Sequence, residues 1–583
     1  MKSLGSLHAP IENLAIGRVI EVDGSHVVAE INHDVSELSR VYAGDIYTIG
    51  QFGSLIKIHF GRKIIYALVS RLRMKSDLAA ERGMAISPSG DERIIEADLI
   101  GEAEWVIDEG GAPTLQFERG VTTYPLPQQS IYLTPRAELL AIYGARSESS
   151  INIGSHVGSA DAPCFADMNE LLGKHTAILG STGAGKSGAV ASIIHSIIGK
   201  YPEDQEWNPR IVILDPHDEY GSAFPGHRRL STDEGSLHLP YWLLNLEETI
   251  SLFIGKTEFS ATSQSNIIKN ALIKLRMESA VRIGLDPDEI TVDSPIPYDI
   301  GNPFGLDDFG ERDGVKELSG LVGAINEQRP NNRTRKDHED YGKVIRKIES
   351  LMKDGRLGFM MKPWGRGADP LPQVLGQFFS GKEKVRIVDL SGVPNEVAGA
   401  ASAVIARTLF SMKVWQTDEE RRKTPVLLVC EEAHRYVPNR GEAMYEAAQG
   451  AIRRIAKEGR KYGLGLLLIS QRPSEVEATV LSQCNSWIVL RLSNESDREH
   501  VRGILPDSMG GLTKMLSSLR RREAIFVGAA ARLPSRVLIR SLEEGQIPRS
   551  HDVDFLRGWG NPALDEEQIS KVSERWRYQA RAN

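Results

Sequence analysis

Short apolar runs broken by turn residues fill the chain from Ala15 to Pro135. Gly17–Val22 leads through Asp23-Gly24-Ser25 into His26–Ile31, two β-rich runs around a turn. Leu55–Phe60 and Lys63–Val69 repeat the arrangement around Gly61-Arg62, and Arg93–Ile100 and Ser130–Leu133 add further short β-like runs. Many short strands with glycine-containing turns predict a small barrel or sandwich. Nothing here carries chemistry, so residues 1–135, barrel or sandwich, read as an assembly or partner-docking module.

From about Asn152 the texture changes to apolar strands followed by longer helical patterns, which predicts a parallel sheet with helical crossovers. Residues 136–242 and 376–540 form this α/β core in the sequence reading. Between them lies a mainly helical insertion, 243–375, with a Gly/Pro/Asp-rich loop from Gly284 to Gly314. Strands resume at Val385–Asp389. The end of the chain, from about Arg536, reads as polar and partly helical, with a tail over 541–583. No internal repeat is visible.

At 583 residues the chain is too long for one hydrophobic core, which predicts two to four units. The apolar share of 41% and the charged share of 25% are ordinary globular usage and exclude disordered and fibrous classes. A net charge of −8 means that any contact with nucleic acid must use a local basic surface. Cys164, Cys430 and Cys484 are widely spaced with no CxxC pair, against a disulfide framework or zinc site and suited to a reducing cytosol. Pro10 and Glu12 interrupt the apolar core that a signal peptide needs. The longest apolar runs, Gly463–Ile469 and Val426–Cys430, are far short of a membrane span. A cytoplasmic protein with no membrane partner is expected.

Gly180-Ser181-Thr182-Gly183-Ala184-Gly185-Lys186-Ser187 matches the phosphate-loop pattern G-x-x-x-x-G-K-[ST]. It follows the apolar run His175–Leu179 and opens an apolar helix through Ile198, the strand–loop–helix context this motif requires. Glycines let the backbone curl so that its N–H groups face the phosphates of ATP, aided by the helix N-terminus. Lys186 is expected to reach the β and γ phosphates, and Ser187 to hold Mg2+.

Pro425–Cys430 is a buried-strand run ending in Glu431-Glu432-Ala433-His434. Carboxylates at the carboxyl end of a core strand sit where a doubly wound sheet opens its ligand crevice. Glu431 is expected to bind magnesium and Glu432 to polarise the attacking water; the competing reading is that both cap a following helix. His434 is functional or structural. Leu464–Ser470 is another buried strand, ending in Gln471-Arg472-Pro473, where the Gln471 amide either senses the γ phosphate, orients water or merely ends the strand. Arg453, Lys457, Arg460 and Lys461 share one face of the preceding helix. That face offers an arginine finger, DNA phosphate contacts or a plain solvated surface.

In this order the motifs resemble the HerA branch of the FtsK/HerA translocase superfamily. The resemblance rests on Ile178–Ser187, Asp215-Pro-His-Asp-Glu-Tyr220, Ser263-Gln-Ser-Asn266, Leu427–His434, Gly459-Arg-Lys-Tyr-Gly463 and Ile469-Ser-Gln-Arg-Pro473. It implies a RecA-like P-loop NTPase core, a small N-terminal β-barrel over residues 1–135, and a homohexameric ring that couples ATP hydrolysis to movement along double-stranded DNA. It also implies a nuclease or other effector, such as a sirtuin-like protein, docked on the barrel face. By motif position the arginine finger carries over to Arg460. The Asp-Glu order of some relatives is Glu431-Glu432 here, and Asp218 stands where relatives often have glycine. Glu-Glu-Ala-His also echoes DEAH helicases, but the chain after Gln471 is too short for their second motor domain.

The expected function is therefore an ATP-driven DNA translocase or helicase in end processing or anti-phage defence. The alternative is an ATP-gated scaffold that assembles and switches a partner effector with little translocation. A conjugation or secretion ATPase is disfavoured by the missing membrane segment.

Overall fold

The computed structural model describes residues 8–578 apart from 36–37, 85–91, 109, 146, 158–161, 203–204, 233, 255–260, 305–317, 330–334, 394, 440–445, 506–512 and 550–553. Packing divides the chain into two units, Met1–Trp207 with Leu467–Ile547 and Asn208–Leu466 with Pro548–Asn583.

In the first unit the early β-runs become β1 (Ala15–Asp23), β2 (His26–Ile31), a separate hairpin of β3 (Ser39–Tyr42) and β4 (Asp45–Thr48), β5 (Leu55–Phe60), β6 (Lys63–Met74), β7 (Arg93–Ile107), β8 (Pro113–Arg119) and β9 (Ser130–Leu133). They pair in the order β2-β1-β9-β5-β6-β7, and β2 also pairs with β7, so six strands close into a barrel that β8 extends. Closure removes the open sheet edges that invite aggregation. Alternate side chains point inward, and Ile16, Val19, Val27, Ile58, Ile65 and Ile95 are fully buried there. β1 and β2 approach so closely that a Cβ on Gly17 would lie 2.0 Å from the Glu30 carbonyl oxygen.

Two features of the barrel differ from the sequence reading. A helix, Lys75–Glu81, follows β6, and β7 runs on to Ile107 rather than ending at Ile100. Glu102 and Glu104 break the apolar run there, but Lys63 on the paired strand holds Glu102 at 2.6 Å, so pairing overrides local pattern. Buried charge also ties the barrel to the helix Arg136–Tyr143. Lys57 Nζ donates to Glu138 at 2.6 Å and the Tyr66 hydroxyl donates to the same carboxylate at 2.8 Å, which gives each buried polar group a partner.

β10 (Ser150–His156), β11 (Pro163–Asp167) and β12 (Thr176–Leu179) follow in the first unit. The second unit contributes β13 (Ile211–Asp215), β14 (Arg228–Ser231), β15 (Val385–Asp389) and β16 (Val426–Cys430), ordered β16-β13-β15-β14, with β13 parallel to β16 and β15, and β14 parallel to β15. β13, β15 and β16 are buried at every position, the pattern of a parallel sheet covered on both faces.

Back in the first unit, β17 (Leu464–Ser470), β18 (Ser486–Leu490), β19 (Glu523–Gly528) and β20 (Ser535–Ile539) complete the order β11-β10-β20-β19-β18-β12-β17. β12 is parallel to β17 and β18, whereas β18–β19, β19–β20, β10–β20 and β10–β11 are antiparallel. The parallel sheet expected from the sequence is present around β12 and gains antiparallel strands on this side, where the short β10–β11 and β19–β20 connections permit only hairpins. β20 also lies inside the sheet rather than in the polar end of the chain. Its buried and half-buried residues alternate, and an alternation over five residues is too short to stand out from the polar residues around it.

The insertion in the second unit is helical, with Leu246–Phe253, Ala261–Arg282, Gly320–Glu327, Arg335–Lys353 and Leu371–Phe379. Fully buried Arg276 binds the carbonyls of Trp242 at 3.2 Å, Leu244 at 2.7 Å, and Val292. Of the predicted loop Gly284–Gly314, residues 305–314 lie outside the described residues; the remainder is loop with the short 3-10 helix Pro287–Glu289 in it. Among the described residues one helix segment, Val397–Trp415, is long and apolar enough to cross a membrane, but 61% of its apolar window is buried in protein. Its Phe410 packs edge-on against Tyr462 of the helix Glu446–Tyr462 at 5.4 Å, which makes it a core helix by packing.

Candidate nucleotide-binding site

Buried β12 delivers the chain into the loop Gly180–Gly185, and Lys186 opens the helix Lys186–Ile198. Gly183 and Gly185 have φ of 75° and 98°, a left-handed backbone that side chains resist. The loop is fastened from several sides. Gly180 N–H donates to the Ser470 carbonyl at 3.2 Å, and Ser181 N–H to that of Arg491 at 2.8 Å. Ser181 Oγ accepts from Ser493 N–H at 2.9 Å. Arg522 N–H donates to the Ala184 carbonyl at 3.1 Å, and the Arg521 and Arg522 stems lie against Gly185. Lys186 is buried and Ser187 half-buried. Curled N–H groups at a helix N-terminus form an anion-binding concavity.

Gln471 follows β17, beside β12, and its Oε1 accepts a 2.7 Å hydrogen bond from the Thr182 hydroxyl. The structure thus brings together a loop residue and the predicted amide from distant parts of the chain. Arg472 instead turns to Glu475 at 2.6 Å and is exposed.

In the second unit, Glu431 and Glu432 directly follow β16, and both are buried. Among the described residues, no α-helix follows directly for them to cap. The next element is the short turn Ala433–Arg435, and Glu432 enters it with φ 53° and ψ 54°. A left-handed backbone at a residue other than glycine costs about 1–2 kcal/mol. His434 Nδ1 lies 3.3 Å from the Glu432 carboxylate.

The Asp215–Tyr220 segment folds into a loop against this strand end. Asp215 accepts from His217 N–H at 3.1 Å and Tyr220 N–H at 2.9 Å. Burial pushes the Asp215 carboxyl up to about 6, against the stabilising N–H donors, and Asp389 adds like-charge repulsion. Asp218 has φ 55°, which explains why glycine suits that position; here Arg229 holds its carboxylate at 3.3 Å. Arg435 donates to His217 Nε2 at 3.2 Å. The Tyr220 hydroxyl donates to Glu431 at 2.7 Å. Neither pairing is signalled by spacing, because each joins residues more than 200 positions apart.

On the helix Glu446–Tyr462, Lys457, Arg460 and Lys461 are exposed and Arg453 is half-buried, so the predicted basic face is real. The neighbouring Arg454 instead lies over the Phe410 ring at 4.8 Å.

Residues 151–409 match the family model described as the central domain of the helicase HerA. Over 459 residues the chain is 27% identical to a probable DNA double-strand break repair helicase HerA of Methanocaldococcus jannaschii, covering 74% of this chain and 81% of that one. A DNA double-strand break repair helicase HerA of Sulfolobus acidocaldarius is 27% identical over 455 residues, with 77% and 80% covered. Among solved structures, VirB4 of Thermoanaerobacter pseudethanolicus superposes with a TM-score of 0.47 at 16% identity, covering 68% of this chain and 98% of that one. Fold, loop and relatives define a P-loop ATPase. Residues 151–409 thus match the HerA central domain, and the chain is similar to HerA helicases over about three quarters of its length.

Proposed function

We propose that this chain is an ATP-driven translocase on double-stranded DNA. It works as a homohexamer with a nuclease or sirtuin-like effector docked on the barrel, in DNA end processing or anti-phage defence. The observation that carries the reading is its alignment, over about three quarters of its length, with relatives named as double-strand break repair helicases. The exposed basic face of the helix Glu446–Tyr462 is in keeping with a polyanionic substrate.

In this reading Gly180–Ser187 cradles the triphosphate and Lys186 compensates the charge that grows on it in the transition state. Ser187 and Glu431 supply oxygen donors of the hard kind that Mg2+ takes. Magnesium, when bound, neutralises phosphate charge. Glu432 orients and polarises the attacking water, Gln471 senses the γ phosphate, and Arg460 reaches the nucleotide of a neighbouring subunit.

The test is ATP hydrolysis by the purified chain with and without linear double-stranded DNA. A several-fold stimulation is expected. Robust hydrolysis that DNA leaves unchanged would favour an ATP-gated scaffold for the effector.

A further inference from the structure

A glutamate has one more rotatable bond than an aspartate, so Glu431 needs something to hold its carboxylate in one orientation. The second unit supplies a tether for it. β13 and β16 run parallel with Leu214 opposite Cys430, so Asp215 and Glu431 leave the sheet side by side. Glu431 N–H donates back to the Leu214 carbonyl at 3.3 Å. The loop after β13 then wraps around its own first carboxylate. Asp215, fully buried, accepts the N–H groups of His217 and Tyr220. This wrap turns the phenol of Tyr220 towards β16, where its hydroxyl donates to Glu431 Oε2 at 2.7 Å. The Tyr220 ring is stacked on Phe224 with centroids 6.3 Å apart, and it is 0% exposed while Glu431 is 3% exposed. With both partners packed, the pair has little freedom to swing apart.

We propose that Tyr220 is a positioning residue whose hydroxyl orients the Glu431 carboxylate for magnesium. This rests on the reading of Glu431 as a magnesium-binding group. It assigns the Asp215–Tyr220 segment the task of holding the strand-end carboxylate, with Asp215 fixing the loop and Tyr220 fixing the acid. A buried carboxylate at a strand end, oriented by a hydroxyl donor, suits an oxygen-seeking divalent cation.

The test is Tyr220→Phe in the full chain, which removes one oxygen and keeps the ring. Binding of a fluorescent ATP analogue is measured in EDTA and across a magnesium titration, with the magnesium dependence of hydrolysis measured in parallel. The expected result is unchanged affinity in EDTA and a roughly tenfold rise in the magnesium concentration needed for half-maximal tight binding and for turnover. Saturating Mg2+ should restore most of the rate, which repair of a purely structural defect would not do. Magnesium curves that superpose on those of the unaltered chain overturn the proposal. If the unaltered chain itself shows no magnesium-dependent nucleotide binding, the ATPase reading falls and this inference with it. If Tyr220→Phe lowers the melting temperature, the comparison moves to Glu431→Gln with and without Tyr220→Phe. Equal magnesium dependence in those two chains supports the tether, and a further loss in the double variant overturns it.

Discussion

The Thr182 hydroxyl donates to Gln471 Oε1 across 289 residues of sequence at 2.7 Å, so the phosphate loop and the end of β17 are tied directly to each other. If the amide acts on the γ phosphate, its loss should slow chemistry more than binding. Gln471→Ala is expected to lower kcat at least tenfold with the ATP KM changed by less than about threefold. Thr182→Val removes only the tie and should cost less than about threefold in kcat. Steady-state ATPase kinetics on both variants separate the amide from its tether; equal losses would assign the effect to the tether.

Lys186→Ala should abolish turnover while leaving the melting temperature within a few degrees. The change removes transition-state charge stabilisation from a loop held mainly by backbone hydrogen bonds. Circular dichroism and ATPase assays on one preparation check both halves. Activity near that of the unaltered chain would end the reading of the loop as a motor site.

Glu432→Gln should bind ATP yet fail to hydrolyse it, since an amide cannot polarise water as a carboxylate does. Glu431→Gln should instead raise the magnesium requirement. Filter binding of radiolabelled ATP, followed by product analysis, distinguishes the two. ATP trapped by the Glu431 variant alongside normal hydrolysis by the Glu432 variant would reverse the assignment.

Arg460 is exposed on the last turn of its helix, as a group acting on a neighbouring subunit must be. A guanidinium supplied across an interface is worth a factor of about 10³ or more. Arg460→Ala and Lys186→Ala chains should each be inactive. If the chain assembles as the proposed ring, mixing the two variants creates some interfaces that join an intact loop to an intact finger, and these should regain partial ATPase activity. Full activity of Arg460→Ala alone would place the finger elsewhere, with Arg472 the next candidate.

His156 is buried on β10, stacked on Tyr143 with centroids 3.6 Å apart, and burial lowers its pKa to about 3. Its unfolded value is near 6.5. The neutral imidazole therefore contributes full stability above about pH 6.5, and that contribution falls as the pH drops towards the folded value. His156→Phe keeps a stacking ring without the proton site. Its stability relative to the unaltered chain should rise by about 2 kcal/mol between pH 7 and pH 5. Urea midpoints across that range check it; parallel curves would show that His156 does not drive the acid sensitivity.

The sequence alone was enough to place the phosphate loop, because its requirements are local. Gly183 and Gly185 fill left-handed positions within a few residues of the strand and helix they join. The buried strands Val426–Cys430 and Leu464–Ser470 and the basic face of the helix Glu446–Tyr462 are also legible from periodicity, since burial on both faces or on one stripe marks every residue involved. Tertiary structure decided what depends on long-range pairing. Barrel closure through β2 and β7, the place of β20 beside β10 and β19, and the left-handed turn at Glu432 have no local signature. The same is true of Tyr220 at Glu431, 211 positions away. A hydrogen bond between buried groups is specified by two packed surfaces meeting, and no spacing along the chain encodes where those surfaces meet.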